Sequence, residues 1–188
     1  IVIDPAHGGG DWGVSMGGNY EKVYTLKTAK MLKKKLESAG TEYRVFLTRN
    51  TDEFLGAQER AGFANSHKAD VFISLHCDFS ISGTPGFKVF YSSPSGDDAE
   101  EPVEWMAVQG LHAEEGKRLA KLISQYMQEA LIPEGTNVLK EEANDTIPFA
   151  SRGIMQAALF PLEGVNAPAA VVEMADMVNG EDLANLKN

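Results

Sequence analysis

Apolar and polar positions alternate along this chain in two different patterns. Short β-branched runs such as residues 71–75 are typical of buried strands, whereas apolar residues that recur every three or four positions are typical of amphipathic helices. Because the two patterns take turns, they predict βα units in which a largely parallel sheet carries helices on both faces. We expect strands near residues 1–4, 44–48, 71–76, 87–91, 154–160 and 169–174.

The helical pattern is clearest over residues 21–39. Val23, Leu26 and Leu36 lie at helical spacing with lysines between them, and Gly40 is a suitable residue to end the helix. We expect further helices over about 53–66 and 112–131, and a short one after Gly180. The chain should therefore fold as a single α/β domain.

Length and composition narrow the class of protein. The 188 residues fit one domain with an ordinary core. Lys and Arg total 17 against 27 Asp and Glu, a formal charge of -10 that repels phosphate backbones, so we expect no nucleic-acid partner. The single cysteine, Cys77, excludes an internal disulfide and a cysteine-rich zinc module.

No sequence feature indicates a membrane span or a secretory leader. No run approaches the roughly 20 apolar residues that cross a bilayer, and no basic segment precedes an apolar one at the start. The chain opens directly on the apolar run of residues 1–3. We expect a trimmed domain or mature fragment from which any signal peptide is missing.

Four polar residues lie where a parallel α/β sheet places its functional sites, beyond the carboxyl ends of strands. His7 follows the first strand, Glu21 opens the first helix, and His76 and Glu173 end two later strands. Two histidines and a carboxylate form a common catalytic zinc set with one position open for water, and a further carboxylate can act as the base. This inventory is typical of a zinc hydrolase.

Each of these residues also has a structural interpretation. His7 could be an ordinary loop histidine, Glu21 could complement the helix dipole, and His76 could be a hydrogen-bonded strand end. Glu173 is harder to explain in this way, because it follows five apolar positions and a carboxylate there needs a partner or a function.

Several blocks of sequence resemble one family. Residues 1–9, Ile-Val-Ile-Asp-Pro-Ala-His-Gly-Gly, resemble the opening motif of the zinc-dependent N-acetylmuramoyl-L-alanine amidases of the AmiC type. The resemblance continues in order over nearly the whole chain, at residues 21–22, 47–52, 60–65, 69–76, 86–91, 152–154, 168–173 and 179.

The resemblance implies a site, a substrate and a location. His7, Glu21 and His76 would be the ligands of a Zn²⁺ ion and Glu173 the catalytic carboxylate, in a twisted mixed sheet flanked by helices. The substrate would be peptidoglycan, cut between the lactyl group of N-acetylmuramic acid and the L-alanine of the stem peptide. The protein would then act in the cell envelope, in the periplasm or after secretion.

Two other functions are compatible with the same residues. A metal carboxypeptidase or deacetylase would keep the zinc site and cut another amide. A noncatalytic wall-binding module would keep the fold without turnover, although all four presumptive site residues are present. The oligomeric state is left open by the sequence.

Three positions qualify the resemblance. Ala6 stands where the family usually has glycine, which would disturb His7 if the turn there required a positive φ. Met155 stands where lysine is frequent in the family. Cys77 should point to the opposite face from His76 if the strand continues, so we expect it in the core or at its rim rather than on the metal.

Other candidate polar residues have simpler roles. His67 and His112 lie on or beside helices among charged residues, and we expect both at the solvated surface. Arg49, Arg60 and Arg152 could each bind a substrate carboxylate or form a structural ion pair.

Residues 92–111 are a candidate regulatory insertion within a catalytic domain that spans 1–188. Residues 92–115 hold seven carboxylates and no Lys or Arg, and Pro102 could start a short helix that carries Trp105. Some members of the resembling family carry a longer insertion here, which covers the zinc until an activator protein displaces it. The segment is interpreted either as such a gate or as a solvated acidic loop.

Overall fold

The computed structural model describes residues 1–92, 108–131, 151–157 and 159–187. The strands are β1 (Val2–Pro5), β2 (Ser15–Met16), β3 (Asn19–Tyr20), β4 (Phe46–Leu47), β5 (Phe72–Asp78), β6 (Phe87–Tyr91), β7 (Ser151–Gln156) and β8 (Ala169–Asp176). The helices are α1 (Glu21–Ala39), α2 (Ala57–Ser66), α3 (Ala113–Leu131), α4 (Gly180–Lys187) and a 3₁₀ turn at Phe160–Leu162.

Six strands form one mixed sheet in the order β4-β1-β5-β8-β6-β7, while β2 and β3 form a separate hairpin. In this order, β4, β1, β5 and β8 run parallel to one another. Strand β6 runs antiparallel to β8, and β7 is parallel to β6. This confirms the predicted single α/β domain with a mixed, mostly parallel sheet of six strands.

Alternate residues of the central strands supply two hydrophobic cores, one on each face of the sheet. Ile3, Leu75 and Val172 pack with α1, α3 and α4. On the other face, Phe72 and Val171 pack with α2 and the 3₁₀ turn. The prediction of helices on both faces is thereby confirmed.

Two predicted boundaries were wrong. Helix α2 begins at Ala57 rather than near residue 53, because Gly56 is its N-cap and donates its backbone N–H to Glu59 Oε2 at 2.7 Å. The strand predicted at 154–160 is β7, which starts earlier and ends at Gln156. Pro161 lacks the N–H that a strand ladder needs and instead lies in the 3₁₀ turn.

Asp4 of β1 is the centre of a buried polar network. The carboxylate accepts hydrogen bonds from Thr48 Oγ1 at 2.5 Å, Ser74 Oγ at 2.8 Å and Arg60 Nη1 at 2.6 Å. Asp4 is 1% exposed and Arg60 is 6% exposed, so water screens this ion pair very little. The network ties β1 to β4, β5 and α2 through groups that would be unfavourable if left unpaired.

The three arginines that could have bound a substrate carboxylate are engaged within the protein. Arg60 also donates to the carbonyls of Pro5 and His7. Arg49 is 1% exposed and donates to four backbone carbonyls. Arg152 pairs with Asp78 at 2.7 Å. The structural alternative therefore describes Arg49, Arg60 and Arg152.

The remaining surface predictions have mixed outcomes. His67 is exposed and stacks on Phe63, with 4.1 Å between ring centroids. His112 is only half-buried and lies 2.9 Å from Asn166 Oδ1. Among the residues that the structure describes, no helix is both long and apolar enough to span a membrane.

We predict that Asp4→Ala lowers the free energy of unfolding by about 3–5 kcal/mol, because it leaves the buried Arg60 guanidinium without its carboxylate. Urea denaturation followed by circular dichroism measures the change. The control is Asp70→Ala at an exposed position, expected within about 0.5 kcal/mol of the unaltered chain. A loss below about 1 kcal/mol for Asp4→Ala would contradict the structural importance of the network.

Candidate active site

The structure brings His7, Glu21 and His76 together at the carboxyl ends of β1 and β5. His7 follows β1, Glu21 is the first residue of α1, and His76 lies in β5. One ligand atom of each residue lies within 4.8 Å of the others. His7 Nε2 is 3.1 Å from Glu21 Oε2, and His76 Nδ1 is 3.1 Å from Glu21 Oε1.

These three side chains fit a zinc ion. With Zn–N and Zn–O distances near 2.1 Å, tetrahedral ligands on one ion lie about 3.4 Å apart, close to the two separations from Glu21. Two imidazoles and one carboxylate also form a donor set that zinc prefers, and they leave room for a fourth ligand. We therefore call His7, Glu21 and His76 the candidate metal centre.

Glu21 is held in place by more than its position in the helix. It is 2% exposed, and its two carboxylate oxygens accept the backbone N–H groups of Val14 at 2.8 Å and Cys77 at 2.9 Å. Burial raises the pKa of Glu21, but hydrogen bonds and charge from the two histidines outweigh it, so the pKa is well below its ordinary value. Glu21 is thus a fixed, ionised carboxylate.

His7 has a left-handed backbone, with φ at +59°. Ala6 is not among the residues with positive φ, so the turn does not require glycine at that position. Burial lowers the pKa of His7, but hydrogen bonds and charge from Glu21 and Asp11 overcome this effect and raise the pKa overall. In the metal-free chain this imidazole retains its proton at higher pH than an isolated histidine.

The glycine-rich loop that follows β1 is fastened from both sides. Gly9 donates its N–H to Asp52 Oδ1 at 2.8 Å and accepts from Lys22 Nζ at 2.7 Å. Lys22 and Asp52 also form an ion pair at 2.7 Å. The loop is therefore attached to α1 and to the segment after β4.

Gly13 lies directly against the candidate metal centre. A Cβ atom built there would be 2.4 Å from Glu21 Oε2 and 2.6 Å from His7 Cδ2, and the backbone has φ of +63°. Only glycine allows the chain to pass this close to the two side chains.

Glu173 lies in β8 between two polar neighbours. It is in register with His76 of β5 on one side and with Lys88 of β6 on the other. Glu173 Oε2 is buried and has no hydrogen-bond partner in the part of the chain that the structure describes. Burial raises the pKa of Glu173 to about 7, against a lowering by His76 and with a further rise from Glu21 and Asp78.

Cys77 is 4% exposed and packs in the core on the face shared with α1 and α3. This confirms the expectation that it belongs to the core or its rim. Burial raises the pKa of its thiol, together with the charges of Glu21 and Glu173, so the thiol is neutral near neutral pH. A neutral, buried thiol is a poor nucleophile, and Cys77 is not part of the group formed by His7, Glu21 and His76.

Asp11 was missed in the sequence analysis. Its Oδ2 lies 2.8 Å from His7 Nδ1, on the side of the ring that faces away from Glu21. Burial raises the pKa of Asp11, but hydrogen bonds from His7 and Gly13 more than offset it, so the pKa is lowered. The only signal in the sequence is a carboxylate four residues after His7 in a glycine-rich loop.

The candidate gate lies mostly outside the described residues, which exclude 93–107. The flanks are described. Ser92 follows β6 next to the amino end of β8, and Gln109 donates to the carbonyl of Ala167, just before β8 begins. Both flanks therefore lie at the ends of the strands opposite to those that carry the candidate metal centre.

Comparison with known proteins identifies the family of this chain. The N-acetylmuramoyl-L-alanine amidase family model matches residues 1–188. N-acetylmuramoyl-L-alanine amidase LytC of Bacillus subtilis is 30% identical over 187 residues, which cover 100% of this chain and 31% of LytC. N-acetylmuramoyl-L-alanine amidase AmiA of Escherichia coli K12 is 29% identical over 197 residues, which cover 97% of this chain and 67% of AmiA.

The fold is also similar to a solved structure. The crystal structure of an N-acetylmuramoyl-L-alanine amidase from Clostridium difficile 630 superposes with a TM-score of 0.74 at 24% identity, covering 100% of this chain and 84% of that one. At this identity the likeness supports the fold alone. The chain spans about a third of the length of LytC.

We predict that Gly13→Ala weakens zinc binding at least tenfold, since the added methyl group must displace Glu21 or His7, and disturbance of outer contacts typically changes metal affinity by about 10–100-fold. Competition against a chromophoric chelator measures the affinity. Gly10→Ala is the matched control in the same loop, because a Cβ there has no atom within 4 Å. Equal affinities for the two variants would show that the close approach at Gly13 is unimportant.

We predict that Glu173→Gln stabilises the metal-free chain at pH 8 by up to about 3 kcal/mol. The native pKa of about 7 exceeds the ordinary value of 4.5. The native state therefore holds this proton more tightly than the unfolded state, and the stability associated with it is lost as pH rises through 7. Glutamine lacks this titration, so the difference should vanish near pH 4.5. Urea denaturation across pH measures it, and exposed Glu181→Gln is the control.

Proposed function

This chain belongs to the N-acetylmuramoyl-L-alanine amidase family, and we propose that it is a zinc-dependent peptidoglycan hydrolase. The bond cut would be the amide between the lactyl group of N-acetylmuramic acid and the L-alanine of the stem peptide. The observation that carries the proposal is that Glu173 is in register with His76 of the candidate metal centre, and that its buried Oε2 has no hydrogen-bond partner among the residues that the structure describes. If Glu173 served only the stability of the fold, this buried oxygen should have a hydrogen-bond partner.

In this proposal His7, Glu21 and His76 hold the zinc. A bound zinc ion lowers the pKa of water and polarises the carbonyl of the scissile amide. Glu21 contributes one negative charge at a fixed place, because its oxygens are held by two backbone N–H groups. The two histidines must be neutral to donate their lone pairs, so binding should weaken in acid.

Glu173 would be the general base. Its carboxylate would accept a proton from the attacking water and then pass it to the departing L-alanine amine. Oε2 would make this transfer, since no group in the described part of the chain forms a hydrogen bond with it. Because Cys77 is buried and neutral, the residues around the centre favour direct attack of water over a covalent intermediate.

The setting of the enzyme follows from this substrate. We propose that residues 1–188 are a catalytic domain that acts in the cell envelope, in the periplasm or after secretion. An activator protein remains a prediction that depends on residues 92–111. The formal charge of -10 supports the expectation that nucleic acid is not a partner.

The competing functions are distinguished by the product. A zinc carboxypeptidase or deacetylase would leave the bond between muramic acid and L-alanine intact. A noncatalytic module would leave every bond intact, and the retained Glu173 carboxylate argues against it.

We predict that the unaltered chain binds one zinc ion and releases intact stem peptides from purified muropeptides. Glu173→Gln should keep the zinc and lose about 10²–10⁴-fold in turnover, because the amide preserves the shape of the side chain but cannot carry the proton. His7→Ala and His76→Ala should each lose zinc and activity together. Mass spectrometry of products and elemental analysis of the metal are the measurements.

Glu181→Gln serves as the carboxylate control, because Glu181 is exposed on α4 and should leave turnover unchanged. Loss of zinc from a folded Glu173→Gln variant would make Glu173 a ligand and reverse the proposed roles. Release of single terminal amino acids or acetate, instead of stem peptides, would assign the other amide chemistry.

A further inference from the structure

The His7 ring makes a polar contact on each side. Nε2 is 3.1 Å from Glu21 Oε2 in the candidate metal centre, and Nδ1 is 2.8 Å from Asp11 Oδ2. We propose that Asp11 is a positioning residue that holds the proton of His7 on Nδ1 and so directs the Nε2 lone pair toward the metal. This inference rests on the proposed function, since it presumes that the centre holds zinc.

Backbone hydrogen bonds set the position of Asp11. Its N–H donates to the carbonyl of Gly8 at 3.0 Å, and its carbonyl accepts from Gly8 N–H at 2.8 Å. The pair closes a tight turn just after His7. The turn therefore brings Asp11 back beside the imidazole of His7.

Both oxygens of Asp11 are in use. Oδ2 faces His7 Nδ1, while Oδ1 accepts the N–H of Gly13 at 3.1 Å. Gly13 in turn lies against Glu21 and His7. The Asp11 carboxylate thus contacts the His7 ring and also the backbone of Gly13, which packs against Glu21.

The chemistry of imidazole makes this contact consequential. A neutral histidine has one N–H and one lone pair, and the hydrogen bond made by one nitrogen decides which nitrogen is free for a metal. A carboxylate at Nδ1 favours the proton there, leaves Nε2 as the donor atom and increases its basicity. Asp11 would thereby increase zinc affinity without touching the ion.

Stability alone gives little reason for the pair. The Asp11 side chain is 44% exposed, and ion pairs with such exposure typically contribute little to folding. Removal of Asp11 should therefore alter the metal centre much more than the fold, which makes the inference testable by substitution.

The test is zinc affinity, measured by chelator competition on the purified chain. We expect Asp11→Ala to bind zinc about 10–100-fold more weakly than the unaltered chain. Asp11→Asn should fall between them, because its amide oxygen preserves one neutral acceptor. Asp52→Asn is the matched control: Asp52 also fastens the loop, through Gly9 and Lys22, but contacts neither histidine. Its affinity should stay within about threefold of the unaltered value, well below the loss expected when the carboxylate beside His7 is removed.

A second measurement does not depend on affinity. In the zinc-loaded chain, the His7 Nδ1 proton should give a downfield proton resonance protected from exchange. The resonance should shift upfield in Asp11→Asn and be lost to exchange in Asp11→Ala, while Asp52→Asn retains it. A purely structural role for Asp11 would leave this signal unchanged in any variant that still folds and binds zinc.

Three outcomes would overturn the inference. Folded Asp11 variants with unchanged zinc affinity and an unchanged His7 proton signal would remove the positioning role. An equal loss in Asp52→Asn would assign the effect to loop geometry instead of the His7–Asp11 hydrogen bond. Failure of the unaltered chain to bind zinc would overturn the proposed metal centre and this inference together, whereas the first two outcomes leave the metal centre standing.

Discussion

Two buried guanidinium groups hold the backbone that follows β1, and the candidate metal centre depends on them. Arg49 and Arg60 together donate to the carbonyls of Pro5, Ala6 and His7, at the point where the strand has ended. Buried carbonyls without partners would be unfavourable, and the pairing of β1 with β5 ends at Pro5, so these carbonyls need other donors. The arginines take that place, and Asp4 balances the charge of Arg60.

This arrangement explains why the loop after β1 tolerates so much unusual backbone. His7, Gly8, Gly9 and Gly13 all have positive φ, and His7 lacks the freedom of glycine. A conformation that is unfavourable by itself persists when the surroundings determine it from several sides. Here guanidinium donors hold the inner side of the loop, while Lys22 and Asp52 hold its outer side.

The sequence predicts the scaffold better than the site. Strands such as β5 and β8 can be predicted from the sequence, because parallel strands are buried on both faces and therefore consist of continuous apolar runs. Glu173 can also be picked out as a candidate site residue, because it is a carboxylate that follows such a run. The meeting of His7, Glu21 and His76 is different, because it depends on how α1 packs against the sheet: Glu21 and His76 are 55 positions apart, and no local pattern encodes their contact. The family resemblance implied that ligand set, whereas Asp11 was not predicted, because it is the turn closed by Gly8 that brings it beside His7.

The reversal of β6 has a consequence for where the chain can change length. Since β6 runs antiparallel to β8, its amino end lies beside Glu173, and its carboxyl end lies about 10 Å away, three residues back along β8. Residues inserted between β5 and β6 would emerge at the mouth of the site and meet the substrate. Residues inserted after β6 would emerge at the opposite rim of the sheet. A longer connection between β5 and β6 should therefore alter substrate selection, whereas a longer segment after β6 should alter a surface far from the candidate active site.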